Sequence, residues 1–356
     1  MAAEKHAAPI QLIQRFNDST SLPFPVILIR AASELKPGNR PVCAAIGMFD
    51  GVHLGHQQII RQTVADAAQH RGRALVITFD RHPASVVAPE RAPALIQPLQ
   101  PRLRSITALD ADTLLLIYFD RAFSQQTGEV FVRGLARDVG RLRSLSVGAD
   151  FHFGFQRSGN VALLRKLGAE LRFTVHSVAA VALDGLPISS TRIRKAIRQG
   201  DFAAAGRMLG RAYSLAGGVV QGDGLGRQLD FPTANLDVTG LVLPPTGVYA
   251  IRAQLGDQSH RGVMNIGFRP TLASAAARLQ VETHLLDFTG DLYGQELEVS
   301  FVARLREERK FASTTELREQ IARDIAEARQ RFAALSDSSS PVWVWISGAS
   351  GSGITH

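Results

Sequence analysis

The apolar pattern of the chain changes period near Tyr213, and that change limits the folds open to it. Before it, short continuous apolar runs alternate with helical patterns. Residues 25–29 (PVILI), 42–46 (VCAAI), 74–78 (ALVIT), 113–117 (TLLLI), 145–147 (LSV) and 173–181 read as strands. Helical periodicity falls at 54–70, 101–110, 128–140 and 160–169. Runs of Val, Ile and Leu without alternating polar residues belong to strands covered on both faces, and helices between them make parallel crossovers. The expectation is a doubly wound α/β region. After Tyr213 the runs 214–220, 247–255, 262–266, 280–286 and 296–303 follow one another with only glycine and proline punctuation. That pattern reads as a small antiparallel β-barrel. A last amphipathic helix over 313–334 opens on Ser/Thr with Glu316 in its first turn, which suits a cap. A chain of 356 residues exceeds a typical single domain. The expected division is 1–212, 213–336 and a flexible Ser/Gly-rich tail, 337–356.

Composition narrows the classes. The chain is 45% hydrophobic and 20% charged, enough to bury a core in each part. No apolar run reaches the roughly 18 residues of a membrane span. The start, MAAEKHAAPIQLIQRF, lacks the pattern of a secretory signal, and the single Cys43 cannot form an internal disulfide. A cytoplasmic protein is expected. The net charge is +8, and five lysines stand among 40 basic residues, so arginine supplies nearly all of it. The arginines are spread along the chain, and the one dense run, 133–143 (RGLARDVGRLR), reads as a solvated helix face. Phosphorylated small molecules are therefore favoured over nucleic acid, and no nucleic-acid or membrane partner is expected.

The first chemical motif is 47–56, GMFDGVHLGH, at the junction of strand 42–46 and helix 54–70. Ligands of open α/β sheets bind at the carboxyl ends of strands, and a helix N-terminus offers free N–H groups to phosphate. His53 and His56 share one side of the first turn. Gly55 between them lets a nucleotide approach the backbone. Two imidazole donors there suit a pyrophosphate leaving group. A second motif, 188–194 (ISSTRIR), opens another helix with three hydroxyls and Arg194, a set that converges on phosphate.

In the second half, 221–227 (QGDGLGR) is followed by 231–236 (FPTANL). A glycine-rich stretch between strands can wrap phosphate with backbone N–H groups, though a plain turn has the same composition. Thr233 and Asn235 point the same way if extended, and both offer oxygen, which suits Mg²⁺. Glu282, in 280–284 (QVETH), sits on a strand as a carboxylate able to take a hydroxyl proton.

Together these motifs resemble the bifunctional riboflavin kinase/FAD synthetase family. Residues 77–83 (ITFDRHP), 147–154 (VGADFHFG), 262–271 (GVMNIGFRPT) and 305–311 (LREERKF) match further blocks of it. The resemblance implies an N-terminal doubly wound nucleotidyltransferase domain, a C-terminal β-barrel riboflavin kinase domain and a terminal helix. It implies that riboflavin is phosphorylated by ATP to FMN, and that FMN is adenylylated by ATP to FAD and pyrophosphate. By resemblance the catalytic residues are His53, His56, Arg194 and Glu282. Gly47, Phe49, Asp50, Gly55, Asp150, Ser189, Ser190, Thr191, Gly222, Gly224, Arg227, Asn265 and Arg306 bind ATP or flavin, and Thr233 and Asn235 hold Mg²⁺. Two positions depart from the family pattern: Arg81, where Pro is frequent, and Asp230, where Gly is usual. One rival is transfer of a nucleotide to another phosphate, as cytidylyl- and pantetheine-phosphate adenylyltransferases do with similar motifs. The other is a basic RNA-binding protein. The tail 342–355 (VWVWISGASGSGIT) resembles a strand entering a P-loop, but Ile354 stands where the P-loop lysine would be.

Overall fold

The computed structural model describes residues 26–35, 39–222, 226, 231–271 and 274–337. Gly224, Arg227, Asp230 and the tail from 338 lie outside them. The α/β region is built from β1 (Ile27–Ile29), β2 (Val42–Ile46), α1 (Leu54–Gln69), β3 (Arg73–Phe79), α2 (Leu99–Thr107), β4 (Thr113–Ile117), α3 (Gly128–Val139), β5 (Leu142–Gly148), α4 (Val161–Leu171) and β6 (Thr174–Val178). These strands form one six-stranded sheet, parallel throughout, in the order β1-β4-β3-β2-β5-β6. All residues of β2 and β4 are buried, as their continuous apolar runs require.

From β2 the chain steps outward to β3 and β4, then returns to the other side of β2 for β5 and β6. The strand order therefore reverses between β2 and β5, and the crevice lies beyond their carboxyl ends. Helix α2 ends at Thr107 rather than 110, because Asp110 takes a left-handed φ of 63°. After β6 the chain makes α5 (Ser190–Arg198) and α6 (Phe202–Leu209).

The second half is a closed barrel of β7 (Ser214–Val220), β8 (Ala234–Leu236), β9 (Gly247–Leu255), β10 (Gln258–Thr271), β11 (Ser274–Leu285) and β12 (Glu296–Arg306). Its order is β7-β8-β11-β10-β9-β12, antiparallel throughout. Leu215, Tyr249, Ile251, Met264, Val281 and Val299 fill its interior. The last helix, α7 (Thr314–Asp337), lays Ala328 and Phe332 on the outer face of β9 and β10, against Val248, Ala250 and Val263. The two halves meet on a stacked aromatic cluster. Phe202 of α6 lies 4.5 Å from Phe301 of β12, beside Tyr213 and Tyr249.

Candidate active sites

The turn between β2 and α1 is unusual in its backbone. Phe49, Gly51 and Val52 all have left-handed φ, at 50°, 79° and 39°. A β-branched residue there costs free energy and persists only where the surroundings over-determine it. The surroundings are dense. The Asp50 carboxylate accepts from the N–H groups of Ile96 (2.9 Å) and Gln97 (3.2 Å) and from Arg194 Nη2 (2.6 Å). Ser190 donates its hydroxyl to the Asp50 carbonyl at 3.2 Å. Asp50 is 2% exposed and Arg194 7%. The guanidinium expected to meet phosphate is therefore also the partner that neutralises Asp50, and its Nε donates to the Ala94 carbonyl at 2.6 Å.

This turn delivers His53 to the N-cap of α1. Its Nδ1 accepts from the N–H of His56 at 3.3 Å. With Nδ1 accepting, the proton of the neutral ring sits on Nε2, which becomes a donor. The rings of His53 and His56 stack 3.6 Å apart at 19°, and Phe49 meets His56 edge-on at 5.3 Å. A side chain at position 55 would press on the His53 ring at 3.2 Å, and one at 47 on the Phe49 ring at 2.9 Å. Burial pushes His53 down to about 4, helped by the charges of Arg211 and Arg194. His56 is driven well below its ordinary value, first by burial and then by His53 and Arg102. Both imidazoles are thus neutral at pH 7, and Nδ1 of His56 is buried without a partner.

Ser189 caps α5, accepting from the Arg192 N–H at 3.2 Å, whereas Thr191 and Asp150 are exposed. Asp150 follows β5, the strand next to β2, at the carboxyl end of the sheet. Sequence reasoning missed two arginines. Arg102, fully buried on α2, donates to the Phe79 carbonyl at 2.5 Å. Arg211, after α6, donates to the Gly51 carbonyl at 3.0 Å. The only sequence signal for Arg102 was a charge on the apolar side of an amphipathic helix.

The barrel holds the second constellation. Asn235 of β8 pairs with Glu282 of β11, which pairs with Asn265 of β10. Asn265 in turn pairs with Val248 of β9, and Val248 with Arg306 of β12. Directly paired residues project from one face, so Asn235, Glu282 and Asn265 form a lateral row. Val248 in that row lies under α7, which puts the row on the outer face. Thr233 precedes Asn235 by two and shares its side, alternating with buried Ala234 and Leu236. A side chain at Gly222 would overlap the amide of Asn235, and one at Gly226 would meet Thr233 Oγ1 at 2.8 Å. Gly222 and Gly226 are thus packed directly on the two oxygen-bearing residues. Glu282 is 9% exposed. Arg306 is held by Asp324 of α7, with Nη2 to Oδ2 at 2.8 Å and Nε to Oδ1 at 2.9 Å. It moors the helix beside the row.

Two family models divide the chain in the same way. Residues 35–192 match FAD synthetase and residues 209–332 match riboflavin kinase. The bifunctional riboflavin kinase/FMN adenylyltransferase of Escherichia coli K12 is 38% identical over 307 residues, covering 86% of this chain and 97% of that protein. The chain belongs to the bifunctional riboflavin kinase/FMN adenylyltransferase family. The family member of Pseudomonas fluorescens is 39% identical over 302 residues, covering 85% of this chain and 96% of its own. The fold extends to a crystal structure described as a macrolide-efflux protein from Streptococcus pneumoniae. That structure has a TM-score of 0.71 and 27% identity, and the match covers 85% of this chain and 99% of that one. Among the described residues no helix is long and apolar enough to cross a membrane. Nor do they contain a cluster of three or more His, Cys, Asp or Glu able to hold a metal ion.

Proposed function

We infer that this protein makes FAD from riboflavin in two ATP-dependent steps. Residues 213–336 transfer the γ-phosphoryl group of ATP to riboflavin, giving FMN. Residues 1–212 then join FMN to the adenylyl group of a second ATP, releasing pyrophosphate. The observation that carries the reading is the pairing of two family matches with two separate polar constellations on one chain.

In adenylyl transfer the FMN phosphate is already an anionic nucleophile, so the residues need only align it and stabilise the leaving pyrophosphate. Neutral His53 and His56 act as hydrogen-bond donors, and the N-terminus of α1 adds positive potential. Neutral rings give directional donation without a fixed cation that would hold the product pyrophosphate. Phosphorylation of riboflavin differs, because a ribityl hydroxyl is a weak nucleophile. Glu282 would accept its proton. The oxygens of Thr233 and Asn235 suit a hard cation such as Mg²⁺ and would hold it beside the ATP phosphates. Held there, Mg²⁺ would supply neutralisation of phosphate charge during transfer. The buried thiol of Cys43, pushed up to about 11 by burial, suits a reducing compartment, and we propose the cytoplasm.

Incubation with riboflavin, ATP and Mg²⁺, with products resolved by chromatography, tests the reading. FMN should appear first, then FAD with pyrophosphate. A folded preparation that forms neither flavin nucleotide would overturn it.

A further inference from the structure

The left-handed turn that presents the two histidines is held from outside the FAD synthetase match. Its carbonyls at Gly51 and Val52 both accept side-chain donors. Arg211 Nη2 donates to Gly51 O at 3.0 Å, and Gln57 Nε2 donates to Val52 O at 3.0 Å. The same Gln57 amide donates to the Leu209 carbonyl at 2.8 Å. Between these contacts Gly210 ends α6 at a φ of 72°, so close to Leu54, the first residue of α1, that a Cβ would come within 2.6 Å of its Cδ2. Residues 209–211 thus touch the turn and the start of α1 at three successive positions. All three lie within the stretch matched to riboflavin kinase.

Apart from a long bond from Nη1 to the Leu209 carbonyl at 3.5 Å, Arg211 is committed only to this turn among the described residues. The acid whose charge acts on it, Glu298, already takes Ser214 Oγ at 2.5 Å and Arg104 Nη2 at 3.6 Å. Arg211 has no carboxylate within ion-pair distance among the described residues, and burial depresses its affinity for a proton. A half-buried guanidinium is costly without a strong acceptor. Its best acceptor here is the carbonyl of a residue in the strained turn.

We propose that Arg211 is a positioning residue for adenylyl transfer. It fixes the Gly51 carbonyl and thereby the turn that sets His53 and His56 in their stacked geometry. The inference rests on the adenylyltransferase reading of that site. It makes the joint between the two halves part of the FAD-forming site, although the segment falls in the kinase match. Arg211 acts through the turn, while the histidines act on phosphate.

The test uses the full chain and reads both reactions in each preparation: riboflavin phosphorylation, and FAD formation from supplied FMN and ATP. Arg211→Met should lower kcat for FAD formation by about 10-fold or more, as misplacing catalytic groups does. KM for ATP should change less, and riboflavin phosphorylation should stay within about twofold. Arg211→Lys restores a donor and should recover most of the loss. Gln57→Leu releases the other carbonyl and should show the same selective loss; it decides the matter if Arg211→Met does not fold. Unchanged FAD formation in Arg211→Met, or parallel loss of both reactions without rescue by Lys, overturns the proposal. A wild-type protein that makes FMN but never FAD would instead sink the functional reading, before any variant is compared.

Discussion

A histidine that folding removes from water links stability to pH with a definite sign. His53 has a folded value of about 4 against an ordinary 6.5. Above 6.5 the ring is neutral in both states, and nothing is lost. As pH falls from 6.5 towards 4, the unfolded chain takes up a proton that the folded chain refuses, so stability declines by on the order of 3 kcal/mol. His56 adds to the loss in the same direction. His53→Asn keeps an N-cap side chain and removes the titrating ring. Urea unfolding at pH 7.5 and 4.5 should show a smaller pH-dependent loss in the variant than in the wild type; equal losses would contradict the burial argument. The same variant should lower FAD formation by about 10²–10³-fold, the effect of losing one donor to developing charge, while FMN formation persists. Glu282 belongs to the other reaction. Glu282→Gln keeps the shape and should cut FMN formation by about 10²–10⁴-fold, leaving FAD formation from supplied FMN intact. Near-wild-type phosphorylation at saturating ATP and riboflavin would remove Glu282 from the mechanism.

At the scale of elements, helix α7 depends on a few anchors. Phe332 is 1% exposed and lies on Val248 and Val263, while the Arg306–Asp324 pair fastens the neighbouring turn. Phe332→Ala should cost about 3–5 kcal/mol, the range for an emptied aromatic site. Riboflavin phosphorylation and FAD formation should then fail together below the wild-type temperature, and thermal inactivation of both at wild-type temperatures would refute the assignment. The elements show how far sequence reading reaches. The strands at 42–46 and 113–117 were legible because a strand buried on both faces is apolar throughout. The hairpin of β10 and β11 was legible only in part, at 262–266 and 280–286, because the rest gives no period: 258–261 are polar and 275–277 are alanines, which strands disfavour. Strand β8 is three residues long and was visible only as a spacing of Thr233 and Asn235. Strand order was not legible at all, since nothing in Ile27–Ile29 names β4 as its neighbour. The histidine pair and the Asn235–Glu282 row were found from local motifs. The partners of Arg194 and Arg211 were not, because Asp50 and Gly51 lie 144 and 160 positions away and only the folded chain brings them together.

At the scale of the whole molecule, the joint combines contacts of different strengths, among them a backbone bridge in which Leu95 N–H donates to the Gly240 carbonyl and the Leu95 carbonyl accepts from Val242 N–H, both at 2.8 Å. Arg104 of α2 pairs with Glu296 and Glu298 of β12, but these groups are partly solvated, and such pairs contribute about 0–1 kcal/mol. The aromatic cluster contributes more. Phe202 stacks on Phe301 at 4.5 Å and on Tyr213 at 6.1 Å, and meets Tyr249 edge-on at 6.0 Å. Tyr213 and Tyr249 are 3% and 1% exposed and Phe202 and Phe301 are half-buried, so most of the cluster is removed from water. Each half nonetheless has its own core: the sheet buries Ile46, Leu75, Leu115 and Leu145, and the barrel buries Tyr249, Ile251, Met264 and Val299. Two separate cores joined chiefly through this aromatic cluster should unfold together while the cluster is intact and separately once it is broken. Phe202→Ala removes the ring that touches both sides and should cost about 3–5 kcal/mol of coupling and packing. Calorimetry should therefore show one transition in the wild type and two in Phe202→Ala. The salt-sensitive pair predicts the opposite emphasis: Arg104→Gln should leave a single transition, shifted by a few degrees at most. Two transitions already present in the wild type, or a split caused by Arg104→Gln and not by Phe202→Ala, would show that the halves are coupled through charge rather than through this cluster.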